Sequence, residues 1–327
     1  VEWHNPLAGI LLFLFIVAGS VAGTLLFEEW RERVRQRQLE EVVEQFSPPI
    51  PEGVTIEGRG REGLELLASG YRKVGDYSRA NYIYFWLYRQ GEELKYLEQI
   101  AQTYLEGGFL SKSREICYQI LKRRPRAIRT WEILTDIGAK LQDRELLWDL
   151  LESFKAVEEH SAPFYYLLWQ IVKLEGWNSQ LYQQFGKLER LIFQFPPLTR
   201  SYLFYQLSRF PGDAYRFIEK EPFTYLDTYF YRPDIPVALP FFPILKIKGV
   251  INFPITIPPD LPFKLKILLQ LPPGFARPVF FYQCRQCGRK FPIYFEKCPK
   301  CGLLFGMVPI LELGEPLLSE KLESFQI

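Results

Sequence analysis

The 327 residues carry 40 Lys and Arg against 38 Asp and Glu, a formal charge of +2, so no strong field is on offer to a nucleic acid backbone. Five cysteines, four of them crowded near the C-terminus, suit a reducing compartment better than a disulfide framework. Neither histidine, His4 nor His160, stands in a pattern with Ser, Cys or an acid that would make a catalytic triad, so no enzyme is expected.

From Leu7 to Phe27 there are 21 residues without a charge. As a helix they span about 32 Å, close to the roughly 30 Å of bilayer hydrocarbon. Arg31, Arg33, Arg35 and Arg37 follow at once, whereas residues 1–5 hold no Lys or Arg. That asymmetry predicts a single-pass anchor, residues 1–27, with its N-terminus outside and the rest cytoplasmic. A cleaved signal peptide would want the basic cluster on the other side. Gly19 and Gly23 form a small-xxx-small face on which a second membrane helix could pack. Glycines are also common in such helices without a partner.

Residues 28–60 read as a charged juxtamembrane helix, ended by Ser47-Pro-Pro-Ile-Pro51, and a linker. Within that linker Gly58-Arg-Gly60-Arg-Glu-Gly63 matches a dinucleotide fingerprint. It lacks the strand–helix–strand setting and a phosphate-loop Lys-Ser/Thr, and is read as a flexible hinge.

Residues 61–220 repeat. Aligned at Arg61, Leu94, Ile128 and Ala162, four stretches share apolar seventh positions: Leu67, Ile100, Leu134 and Leu168. Their eighth positions are Ala68, Ala101, Thr135 and Trp169, and their twentieth are Ala80, Ser113, Leu147 and Leu181. Turns fall mid-unit at Gly75-Asp76 and Gly107-Gly108, and Pro125 ends the second unit. A shortened fifth unit runs from Pro196 to Glu219 with Tyr202 and Leu203 in the same slots. This pattern resembles the tetratricopeptide repeat, which implies stacked helical hairpins and a groove that receives a protein client. Cys117 falls in an apolar slot of a second helix, the place of a buried structural thiol.

In residues 221–280 prolines become frequent and apolar residues alternate with lysine, as in Ile244-Leu-Lys-Ile-Lys248 and Phe263-Lys-Leu-Lys-Ile267. Short strands joined by proline turns are expected there, including Ile255-Thr-Ile257.

Residues 281–310 hold Cys284-Arg-Gln-Cys287-Gly288 and Cys298-Pro-Lys-Cys301-Gly302. Each loop can turn two sulfurs toward one cation, and the glycine after it permits a positive φ. Cys284, Cys287, Cys298 and Cys301 are thus expected to hold one tetrahedral metal ion in a small β-rich zinc-ribbon or rubredoxin-like domain. Spacing does not separate zinc from iron, and an iron-loaded centre would also allow electron transfer. Residues 311–327 read as a tail.

The expected fold is therefore mainly α: an N-terminal membrane helix, a helical-repeat solenoid and a β-rich four-cysteine end. That order of parts, with Gly63–Gln90 as an early repeat and the paired cysteine loops as the ending, resembles the lipopolysaccharide assembly protein B family. The resemblance implies a non-catalytic bacterial inner-membrane adaptor. It would direct the deacetylase that commits to lipid A synthesis to a membrane AAA+ protease of the FtsH type. The chain departs from that family in having fewer repeats and in its proline-rich segment. A scaffold for another envelope assembly or secretion complex is the alternative.

Overall fold

Helical hairpins fill residues 60–247, and a small antiparallel sheet with the four cysteines follows. The structure is a computed structural model that describes residues 58–91, 93–158, 160–272 and 275–315. The expected anchor with Gly19 and Gly23, the charged helix after it and the tail from residue 316 onward lie outside the described residues. Among the described residues no helix is long and apolar enough to cross a membrane. The chain divides into two compact units, Val1–Ile133 and Leu134–Ile327.

In the first unit, α1 (Arg59–Val74) and α2 (Tyr77–Gly91) form one hairpin, and α3 (Leu94–Glu106) and α4 (Leu110–Arg123) form the next. The fingerprint-like glycines are no hinge. Gly58 turns the chain at φ 60°, its carbonyl takes the Arg61 and Glu62 amides, and Gly60 and Gly63 lie inside α1. Gly75, at φ 86°, ends α1, and Asp76 Oδ1 accepts the Arg79 amide at 3.1 Å to start the next helix. Ala68, Ala80, Ile100 and Ala101 are fully buried, as the repeat alignment requires. Ser113 is buried too, with its hydroxyl on the Ala101 carbonyl at 2.7 Å. Leu67, in the seventh slot of the first repeat, is exposed. Cys117 is buried, and that burial pushes its thiol up, which makes it inert.

Next come α5 (Ile128–Leu141), α6 (Arg144–Glu158) and α7 (Ala162–Glu175), so the first helices of three repeats begin at Leu94, Ile128 and Ala162. In the second unit Gly138 faces Leu147, and a β-carbon on it would stand 2.7 Å from Leu147 Cδ2. Asp143 Oδ1 caps Leu146 at 3.0 Å, and Asn178 Oδ1 caps Leu181 at 2.9 Å. From Phe164 to Val172 every residue of α7 is buried, so this helix is covered on all sides.

The second helix of the fourth repeat is split into α8 (Ser179–Phe185) and α9 (Leu188–Gln194) by Gly186 at φ 75°. A shorter hairpin, α10 (Thr199–Arg209) and α11 (Pro211–Ile218), follows with Tyr202 and Leu203 buried.

The proline-rich segment corrects the sequence reading. Before β1 begins at Arg277 no strand forms there among the described residues; α12 (Leu226–Tyr229), α13 (Phe242–Ile247) and α14 (Phe263–Gln270) take its place, and residues 255–257 have no regular structure. Pro243 sits in the first turn of α13 and Pro262 is the N-cap of α14, positions where a missing N–H costs nothing. Helical spacing buries Leu265 and Leu268, leaving Lys264 and Lys266 toward solvent.

The sheet has strand order β2-β1-β3, from β1 (Arg277–Cys284), β2 (Lys290–Phe291) and β3 (Met307–Gly314). Both pairings are antiparallel, with Tyr282 opposite Phe291 and Cys284 opposite Met307. Along β1 burial alternates, so Phe280, Tyr282 and Cys284 share the inner face.

Candidate metal centre

Strand β1 delivers Cys284 at its last residue, and the first loop then serves as the turn into β2. The loop closes through the Gly288 amide on the Cys284 carbonyl at 2.9 Å and the Cys284 amide on the Arg289 carbonyl at 3.0 Å. The second loop repeats both bonds: Gly302 amide to Cys298 carbonyl at 2.9 Å, and Cys298 amide to Leu303 carbonyl at 2.9 Å. Gly288 and Gly302 take φ 69° and 77°, which a side chain would resist. The two knuckles are thus near copies, and a bridge between Lys297 and Leu304 flanks the second as β1 and β2 flank the first.

These loops bring all four sulfurs within 4.8 Å of one another. Across the knuckles, Cys284 Sγ lies 3.5 Å from Cys301 Sγ, and Cys287 Sγ lies 3.7 Å from Cys298 Sγ. Tetrahedral ligation at metal–sulfur bonds of about 2.3 Å puts sulfurs about 3.8 Å apart, so the four thiols fit one such ion with little movement. No disulfide joins them.

Burial pushes the Cys284 thiol up, but the Cys287 and Gln286 amides together with the Cys301 and Cys298 thiols outweigh it and hold the thiol down, at about 7. Burial pushes Cys301 up to about 12, against a bond from the Leu303 amide. Cys298 is raised by burial as well, although the Cys301 and Lys300 amides point at it. Those amides are the ones that would stabilise metal-bound thiolates. Cys284 and Cys298 are buried while Cys287 and Cys301 are half-buried, and every position is taken by sulfur, which suits a structural site.

No protein-family model matches the chain, and no curated protein matches it. The chemistry of the site is therefore carried by its own geometry.

Around the sulfurs, Tyr282 and Met307 complete a buried cluster that Phe291, Tyr294, Phe295 and Leu303 surround. Phe204 from α10 joins it, so the module's core is partly made by the helices of the same unit. Glu296, two residues before Cys298, accepts from the Trp169 indole at 3.2 Å and from Lys173 Nζ at 2.9 Å. Lys297 reaches Asp136 at 2.6 Å and lies over the Tyr166 ring. Phe305 meets Tyr166 and Phe195 edge-on, and Tyr294 packs on Phe204 with its hydroxyl 3.3 Å from Ser201 Oγ. Asp227, on α12, takes two bonds from Arg200 at 2.8 and 3.0 Å. Burial, and then the nearby Asp227 charge, push the Tyr282 phenol up, so it stays protonated.

The sequence located the sulfurs but not this mounting. Trp169 stands where the first three repeats carry Ala or Thr, and it touches the module through Glu296; that break in the repeat was the available signal. His160 pairs its Nδ1 with the Tyr165 hydroxyl at 3.1 Å and stands apart from the four cysteines.

Proposed function

We propose that this protein is a non-catalytic adaptor whose helical hairpins bind a protein client and whose four-cysteine module is a metal-fastened clamp on their C-terminal end. The observation that carries this reading is the mounting of the module. The second knuckle is held from both sides, by Glu296 on Trp169 and Lys173 and by Lys297 on Asp136. A centre built for turnover needs an open coordination position; here four thiols complete the set and apolar side chains close round them.

The apolar stretch Leu7–Phe27 would tether the adaptor to a bacterial inner membrane with the hairpins in the cytoplasm. Tethering raises the effective concentration of client and membrane partner for one another without a new contact. The resemblance in part order to the lipopolysaccharide assembly protein B family supports a client that is the lipid A deacetylase and a partner that is an FtsH-type protease. Zinc or iron fits the site equally by ligand type.

The experiment is co-purification from mild-detergent membranes of the full-length protein and of a version lacking residues 1–27. A deacetylase captured by both and a membrane protease captured only by the full-length protein is the expected result. Capture of other envelope components alone would replace this reading with that of a general envelope scaffold.

A further inference from the structure

Away from the four thiols, a cavity of about 580 Å³ opens beside the fourth hairpin. Its size lies within the roughly 300–1,000 Å³ typical of ligand pockets. Residues on both sides of the break between α8 and α9 line it. Gly186 turns the chain there, and the Trp177 indole holds the turn by donating to the Gly186 carbonyl at 3.2 Å. Trp177, Tyr182, Tyr205 and Phe210 contribute rings to the wall, and Lys187 and Arg209 contribute charge.

Glu175 of this cavity is paired, whereas among the described residues its two cations meet no carboxylate. Glu175 accepts from Arg144, Trp148 and Asn178, at 2.7, 3.1 and 2.8 Å. Arg209 lies 4.5 Å over the Tyr205 ring and donates to its hydroxyl at 2.8 Å. Among the described residues, neither Arg209 nor Lys187 meets a carboxylate.

Gln206 supplies the second signal. Its Oε1 is buried without a hydrogen-bond partner, on a residue only 8% exposed that lines the cavity. A buried acceptor in that position calls for an N–H donor.

We propose that this cavity binds an acidic, apolar peptide segment of a partner protein. A backbone N–H of the peptide meets Gln206 Oε1, an acidic side chain is drawn to Lys187 and Arg209, and an apolar side chain packs on the aromatic wall. A polyphosphate is a poorer match, because Glu175 and Glu189 line the same cavity. The inference deepens the adaptor reading and rests on it for the owner of the peptide, though not for the binding itself.

The test titrates full-length protein in mild detergent into a fluorescein-labelled Asp-Leu-Phe-Glu-Asp peptide, read by anisotropy, with Lys-Leu-Phe-Lys-Lys as counterpart. Saturable binding of the acidic peptide is expected. It weakens by about tenfold or more in the double variant Lys187→Glu, Arg209→Glu, as loss of charge-assisted bonds implies, and the basic peptide gains in that variant. Both substituted side chains are exposed, so metal content and helicity stay unchanged. Absence of saturable binding, equal binding of the two peptides, or competition by ATP would overturn the proposal. Peptide binding without a client in the co-purification leaves the cavity standing and removes the adaptor reading. A client without peptide binding does the reverse.

Discussion

The hairpins between Arg59 and Arg123 and the module between Arg277 and Gly314 are both too small to bury a core alone, and they obtain one differently. In the hairpins, Ala68, Ala80, Ile100, Ala101 and Ile116 bury themselves against neighbouring helices, and each hairpin repeats the same apolar slots. The module's inner cluster holds only Tyr282, Cys284, Cys298 and Met307 as fully buried residues. What it lacks is supplied by the helices that carry Phe204, Trp169 and Asp227, and would be completed by a metal ion at the sulfurs. The difference teaches that hairpin stability is spread over many weak contacts, whereas module stability is concentrated in a few strong ones. Single substitutions should therefore hurt the module and its mounting most.

Cys298→Ser has the largest expected effect. A structural metal contributes about 10–16 kcal/mol of apparent folding free energy near neutral pH. Losing one thiolate should empty the site and expose residues 277–314 to protease while helicity persists. Plasma mass spectrometry and limited proteolysis measure both, and full metal retention in the variant contradicts the assignment. Acid should act similarly, because protons compete with metal for the thiolates. Occupancy and the stability it confers are present at high pH and are lost as pH falls.

Asp227→Ala comes next. It leaves Arg200, whose side chain is only 15% exposed, without its carboxylate and with the Thr224 carbonyl as its remaining acceptor. Removing one partner of a buried pair costs about 3–5 kcal/mol. Denaturant melts of the metal-loaded protein would show it, and a loss within the roughly 0.5 kcal/mol of ordinary surface changes would mean that Arg200 is satisfied elsewhere.

Two substitutions probe the later hairpins, which lie in the same unit as the module and are packed as the first two are. Gly138→Ala pushes a β-carbon against Leu147, and overpacking of this kind costs about 1–3 kcal/mol. Leu147→Ala in the same chain should recover part of that loss, and two purely additive losses would show that the contact is not the cause. Asn178→Ala removes the cap on the Leu181 amide and should cost about 1 kcal/mol. A drop in melting temperature as large as that of Asp227→Ala would erase the contrast between the two regions.

Much of this was legible in the residues, unevenly so. The cysteine loops were legible because a four-thiol site leaves an unambiguous spacing with a glycine after each pair. The hairpins were legible because Ile100, Leu134 and Leu168 recur at a fixed period. Caps at Asp76, Asp143 and Asn178 are Asp and Asn at helix starts, a signal that is local but common to many turns. The stretch around Ile244 and Phe263 was misread because lysine–apolar alternation over five residues fits a strand and a helix alike. There the position of proline in a first turn decides. The bonds from Glu296 to Trp169 and from Lys297 to Asp136 span more than a hundred residues, and no local pattern announces them.

The most direct measurement is amide hydrogen exchange on the full-length protein with metal bound and after chelation. If the module is a metal-fastened clamp, chelation should strip protection from residues 277–314 and also from α7 and α10, which hold it, while residues 58–123 keep theirs. Loss of protection confined to the two cysteine loops, with α7 and α10 unchanged, would contradict the clamp.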